Sequence, residues 1–402
     1  MVSPIRKRLL SGFMHILHLT PYYAPAYAFG GVPRVVQGMA EGAVKRGHTV
    51  TVLTSHLPTQ AEAHSVDEAR LNGVQVIRVP HALPHLRGRF NLSTSLGMHN
   101  HLRGLLPQVD LIHTHEFRTV ENILLWNALR QCPKPTVLSP HGTLGYTTGR
   151  SLLKQGWDRV FSRPIASIIS RAIALTAVEQ GEIQRLWASL GAHPIEVPII
   201  PNGVNLDDFA TPPNLEAFRE RYHLSPHHQV VLFMGRLHPR KGVDVLAQAI
   251  HSWANDHVRL LIVGPDEGLR PTLEALSQQD PRLILCGYLT GEDRLAAYRV
   301  ADVLVLPAVG EGLSMAVLEA MANGLPVLIS EGCNLPEVVE ANAGRLVSIA
   351  VDDLREALVN VLDDTAVLAQ MSENALGLVK ERFTWDAVSA QLEQHYQQLL
   401  SP

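Results

Sequence analysis

Residues 302–324 read D-V-L-V-L-P-A-V-G-E-G-L-S-M-A-V-L-E-A-M-A-N-G, and no other stretch restricts the fold as much. Its aliphatic run before a proline is the pattern of a short strand buried on both faces, as in a parallel sheet. The proline and glycines end that strand, and Ser314 then opens an apolar helix. Strand, glycine loop and helix start make the corner where α/β proteins hold anions, because unpaired N–H groups and the helix dipole point out of the sheet's carboxyl end. Two carboxylates flank the corner, Glu311 between two glycines and Glu319 on the helix. A helical rise of ~1.5 Å per residue sets them roughly 12 Å apart. That is about the reach from the sugar to the ribose of a nucleotide-diphospho-sugar, with phosphates over the helix start and neither acid touching them.

Alone, the E-x7-E pattern also describes two unrelated surface acids. A second corner weighs against that. From Gly235 the chain reads G-R-L-H-P-R-K-G-V-D: a strand over 230–234, then Arg236, then Lys241-Gly242 at the start of another helix. Two cations at a strand-to-helix junction suit a diphosphate held opposite the first loop.

The rest of the chain repeats the same alternation. Strands are expected at 15–20, 48–54, 74–79, 111–114, 136–139 and 173–177, with helices from about 33 and over 93–106, 119–130, 151–170 and 179–187. The pattern restarts at 230. At 402 residues the chain exceeds one core, so two doubly wound domains follow, 1–203 and 204–383, with a closing helix over 384–402. The first 200 residues carry 20 Lys and Arg against 11 Asp and Glu, a balance of +9; the remainder carries 14 against 27, or −13, summing to the overall −4. That asymmetry fits a basic lobe facing an anionic partner, and equally a lobe that is simply basic. Three scattered cysteines suit a reducing compartment without disulfides. No apolar run approaches a membrane span, and the basic start lacks a signal-peptide cleavage pattern.

Ligands of such sheets collect at the carboxyl ends of strands. There lie Gly30-Gly31 before a helix, which is not the dinucleotide fingerprint G-x-G-x-x-G and alone reads as a plain turn. There too lie D-L-I-H-T-H-E at 110–116 and S-P-H-G-T at 139–143. His113 and His115 point to one face of a strand and could share a metal ion, or they are rim histidines. His141, between Pro140 and Gly142, stands at the next strand end. A helix over 151–172 carries Trp157 and Phe161 with Lys154, Arg159, Arg163 and Arg171. It reads as a membrane-surface helix or as a core helix with a solvated face, broken or kinked at Pro164.

Taken together, the E-x7-E and G-R-x4-K-G stretches resemble the C-terminal half of a retaining GT-B glycosyltransferase of glycosyltransferase family 4, and the resemblance extends over nearly the whole chain. It implies two Rossmann-like domains facing each other across a cleft, with the nucleotide-sugar donor in the C-terminal domain and the acceptor in the N-terminal one. The donor diphosphate would meet Gly31, Arg236, Lys241, Leu313 and Ser314. Glu319 would hold the ribose and Gly312 would lie beside the sugar. Glu311 and His141 would contact the transferred sugar near the reacting carbon. Leu313-Ser314 departs from the commoner aromatic-glycine pair, and Cys333-Asn334-Leu335 replaces glycine before Glu337. No D-x-D occurs, so no metal and no cofactor is expected. The implied partners are a nucleoside-diphosphate sugar and a glycan or lipid-linked acceptor, with peripheral membrane contact through the basic domain and no nucleic acid. The implied place is the cytoplasm, at the inner face of the membrane. A nucleotide-sugar epimerase of the same fold and an idle nucleotide-sugar-binding protein are the alternatives. Acceptor choice falls to the loops over 22–29, 80–91 and 143–150.

Overall fold

The computed structural model describes residues 12–27, 31–56, 66–80, 95, 97–145 and 151–401. Gly30 and most of the three acceptor loops lie outside them. The chain divides into two compact units, one of residues 1–203 with 385–402, the other of residues 204–384.

The first unit holds β1 (His15–Leu19), β2 (Thr49–Ser55), β3 (Asp67–Leu71), β4 (Val74–Val79), β5 (Leu111–His115), β6 (Thr136–Ser139) and β7 (Arg171–Ala172). They line up as β3-β4-β2-β1-β5-β6-β7, parallel throughout except β3 against β4. Chain order reverses between β1 and β5, which makes that pair the switch point where a crevice opens. Leu17, Leu19, Leu53, Met98, Leu102 and Leu125 pack a dry core beside these central strands. Burial on both faces encloses the polar members of these strands too, His18 on β1 and His113 and His115 on β5 among them.

Two expectations need correction here, and one strand was not expected. The strand expected at 173–177 is reduced to β7 and a single bridge from Ala174 to Ile199. Thr176 instead caps the helix Ala177–Leu190, its hydroxyl accepting from the Glu179 N–H at 3.3 Å. The helix expected over 151–170 is three pieces, Ser151–Trp157, a π turn Asp158–Ser162, and Arg163–Ala166. The backbone stays helical throughout, its register shifting at Asp158, ahead of Pro164; the Asp158 carboxylate accepts from Arg118 Nε and Nη2, each at 2.9 Å, and from the Ser162 hydroxyl at 2.5 Å. Finally, β3 is an added edge strand, turned back by Asn72 and Gly73, both at positive φ.

The second unit holds β8 (Gln229–Met234), β9 (Val258–Val263), β10 (Leu283–Gly287), β11 (Val303–Leu306), β12 (Val327–Ile329) and β13 (Gly344–Leu346). All are parallel in the order β10-β9-β8-β11-β12-β13. The reversal falls between β8 and β11, the two strands that precede the cationic and the acidic corners.

The last helix, Trp385–Leu400, returns to the first unit and packs on the helix Val32–Lys45. A Cβ on Gly38 would stand 1.9 Å from the Trp385 ring, so only glycine admits that indole. Among the described residues no helix is long and apolar enough to cross a membrane.

Candidate active site

In the second unit the two corners are one structure. The Val309 N–H donates to the Arg240 carbonyl at 2.9 Å, and an Arg240 guanidinium nitrogen donates to the Gly310 carbonyl at 3.3 Å. Gly242 has φ 68°, and a Cβ there would lie 2.2 Å from the Pro307 carbonyl oxygen. Glycine is therefore required where the loops touch. Across this contact the Lys241 ammonium is ion-paired with the Glu311 carboxylate, both mostly buried. Arg236 lies further out, half exposed, gripped by both carboxylate oxygens of Glu267 at 2.7 and 2.8 Å. Glu267 comes from the G-P-D-E-G loop after β9, and the sequence reading gave it no role.

The Glu311 backbone is clamped as well. Its N–H donates to the Gly332 carbonyl at 2.7 Å, and the Asn334 side-chain amide donates to the Glu311 carbonyl at 2.7 Å. Asn334 stands at φ 53°, so it fills a left-handed position that glycine would otherwise take. The substitution at 333–335 thus keeps the turn. Glu337 is spoken for by Arg382, 3.7 Å away.

Gly312, Leu313 and Ser314 lead into the helix Met315–Ala322, with Ser314 at the N-cap and no side-chain capping bond. The first N–H groups of that helix therefore stay available to a ligand. Glu319, one turn further along, faces the helix Gly291–Val300. One of its oxygens accepts from Arg294 at 2.5 Å and from the Tyr298 hydroxyl at 2.8 Å. Lys241, Glu311 and the helix start thus come together, whereas Glu319 and Arg236 each sit in a separate pair. Beyond Arg236, Leu237, Ile262, Gly264, Pro265, Asp266 and Tyr288 line a pocket at the ends of β9 and β10.

In the first unit Gly31 occupies the N-cap of Val32–Lys45 with an ordinary right-handed backbone (φ −75°). His141 follows β6 at φ 57°, an uncommon conformation for a side-chain-bearing residue that costs on the order of 1 kcal/mol or more. Its loop is tied down by Glu179, whose carboxylate accepts from the Gly142 N–H at 2.5 Å and the Leu175 N–H at 2.7 Å. Burial raises the Glu179 pKa.

Behind His141 lies a cluster of imidazoles at the switch point. His115 Nδ1 is 2.9 Å from His141 Nε2, and His115 Nε2 is 2.9 Å from His18 Nδ1. His113 lies against the His115 ring and bonds Tyr396 and Ser139 at 2.6 and 2.8 Å. Burial lowers every pKa in the group, to about 3 for His18, about 4 for His141 and well below 6.5 for His113 and His115. All four rings are neutral at pH 7. His18, His113 and His115 each offer a nitrogen within 4.8 Å of the others, a grouping that geometry would let hold a cation. In the structure His115 is hydrogen-bonded to His18 and His141, and His113 to Tyr396 and Ser139. His18 was hidden in the sequence within an apolar strand.

This architecture has known counterparts. Sucrose-phosphate synthase from Thermosynechococcus elongatus superposes with a TM-score of 0.76 at 23% identity, over 96% of this chain and 99% of that one. Anabaena HepE in complex with UDP-glucose gives 0.72 at 20% identity, over 96% and 100%. The fold is that of the GT-B glycosyltransferases. Residues 29–208 match the family model described as Glycosyltransferase Family 4, and residues 228–364 the one described as Glycosyl transferases group 1. The phosphatidyl-myo-inositol mannosyltransferase of Mycobacterium leprae is 30% identical over 92% of this chain and 93% of its own length. An uncharacterized glycosyltransferase of Methanocaldococcus jannaschii is 28% identical over 94% and 96%. The chain belongs to glycosyltransferase family 4. As a glycosyltransferase it is an enzyme, which sets aside the idle binding protein and the epimerase.

Proposed function

We propose that the enzyme transfers a sugar from a nucleoside diphosphate to an acceptor hydroxyl with retention of anomeric configuration. The observation that carries this reading is the joined corner at the switch point of the second unit. A lysine, a carboxylate and an uncapped helix start converge there, held in contact by Gly242. The helix start and Lys241 take the leaving diphosphate, with Arg236 at its outer edge and Gly31, Leu313 and Ser314 lending backbone. Glu311 accepts from sugar hydroxyls, with Gly312 leaving them room, and Glu319 accepts from the ribose through the oxygen that Arg294 and Tyr298 leave open. The base enters the pocket lined by Leu237, Pro265 and Tyr288. His141 meets the transferred sugar. HepE with UDP-glucose supports the donor class.

The acceptor is a polyol, glycan or lipid-linked hydroxyl of surface glycan or glycolipid synthesis. Relatives named phosphatidyl-myo-inositol mannosyltransferase and D-inositol 3-phosphate glycosyltransferase support that choice. Peripheral contact of the basic first unit with the inner membrane face belongs to the same reading, as does independence of metal. The test is a calorimetric screen of UDP, GDP, ADP and their sugars, followed by product analysis with inositol-type acceptors in EDTA. Selective binding of one diphosphate and transfer with retention are expected. An inverted product, or activity that EDTA abolishes and Mg²⁺ restores, would overturn the corresponding part.

A further inference from the structure

Three histidines of the first unit form a file that ends at His141. His18 lies on β1 and His115 on β5, the two strands of the switch point, and His141 follows β6. The His18 and His115 rings are inclined by 7°, the His115 and His141 rings by 19°. With nitrogens 2.9 Å apart at both joints, the rings form a nearly flat, hydrogen-bonded ribbon. A neutral imidazole has one N–H and one lone pair, so the two joints cannot choose independently. If His115 donates to His141 Nε2, then His18 donates to His115 and His141 carries its proton on Nδ1. If the ribbon runs the other way, His141 Nδ1 is a lone pair and the outer proton sits on His18 Nε2. Those two outer atoms, His18 Nε2 and His141 Nδ1, are buried without a partner.

We infer that His18 and His115 are positioning residues that fix the ring plane and tautomer of His141, leaving Nδ1 as the one ring nitrogen it can present to a substrate hydroxyl. The inference rests on the reading that His141 meets the transferred sugar. The left-handed backbone of His141, pinned through Gly142 to Glu179, holds the ring from its other end. His113, packed 4.4 Å from the His115 ring centre and bonded to Tyr396 and Ser139, keeps the middle ring from turning. The low pKa values support the assignment, because a protonated ring would break the ribbon's pairing.

The test is ¹⁵N NMR of the histidine rings in the full chain at pH 7, with turnover on His115→Phe and His115→Asn. In the wild type, His18, His115 and His141 should each show one dominant neutral tautomer. His115→Phe puts a somewhat larger apolar ring in the same place and removes both bonds; His141 should then populate both tautomers, with kcat falling by about 10-fold or more and donor KM nearly unchanged. His115→Asn restores a donor near the Nδ1 position and should recover most of both signals. Averaged tautomers at His141 in the wild type would overturn the inference without any variant. So would unchanged tautomers and turnover in His115→Phe. Full turnover by His141→Ala would instead overturn the functional reading beneath it, and the NMR arm tells the two failures apart.

Discussion

Lys241 and Glu311 show how much a site residue's meaning depends on what it touches. As a lone cation Lys241 would only attract phosphate; paired with Glu311 it also neutralises a carboxylate that would repel the diphosphate. Glu311→Gln should therefore bind nucleoside diphosphate at least as tightly as the wild type while turnover falls. Weaker product binding in calorimetry would count against this placement. Lys241→Ala should weaken nucleoside-diphosphate binding by about 1.5–3 kcal/mol, the worth of a charge-assisted hydrogen bond, and leave free nucleoside nearly unchanged. Arg236→Ala should cost less, since Glu267 already holds one of its three guanidinium nitrogens and pairs with its charge. Glu319→Gln should weaken donor and product alike, because both carry the ribose. It should also lower the melting temperature, since Arg294 loses its charged partner at a cost of about 1–3 kcal/mol. A Glu319→Gln protein that melts like the wild type would mean the pair contributes nothing.

Elements were legible where local chemistry announces them. The strand–glycine–helix corners could be read because glycine, cation and carboxylate lie within a few residues of one another. The hairpin of β3 and β4 was also written locally, as Asn72-Gly73, the strongest short-range turn signal. Its first strand, Asp67–Leu71, is polar and largely exposed, and so lacks the apolar alternation of a strand. Arg294 and Tyr298 could not be found from sequence, since their link to Glu319 forms only when two helices pack. The histidine ribbon was hidden for the same reason: parallel register sets His18 beside His113 across a gap of nearly a hundred residues. The contact of the two corners is the sharpest test at this scale. Gly242→Ala would force a left-handed alanine against the Pro307 carbonyl, and should destabilise by about 2–4 kcal/mol and weaken diphosphate binding at the same time. A variant as stable as the wild type would show that the loops separate without consequence.

Over the whole molecule, the buried histidines should govern behaviour in acid. Their folded pKa values are depressed, so below about 6.5 the unfolded chain takes up protons that the folded rings refuse. Stability should thus rise with pH between about 4 and 6.5, by up to roughly 1.4 kcal/mol per unit per histidine, and level off above 7. Glu179, whose pKa burial raises, works in the opposite direction. Melting temperatures at pH 5, 6 and 7.5 check the sign, and a midpoint that falls or stays flat as pH rises would refute it. The chain path has a further consequence. It leaves the first unit after Gly203 and re-enters at Trp385, and these residues touch, a Cβ on Gly203 standing 2.8 Å from the indole. On the other side of the same junction the Val204 N–H bonds the Phe383 carbonyl at 2.8 Å. The second unit is therefore an insertion whose two ends are already side by side. A linker of a few residues could close the first unit over the gap, and the second could be exchanged whole for that of a relative, which under the proposed function would trade one donor preference for another.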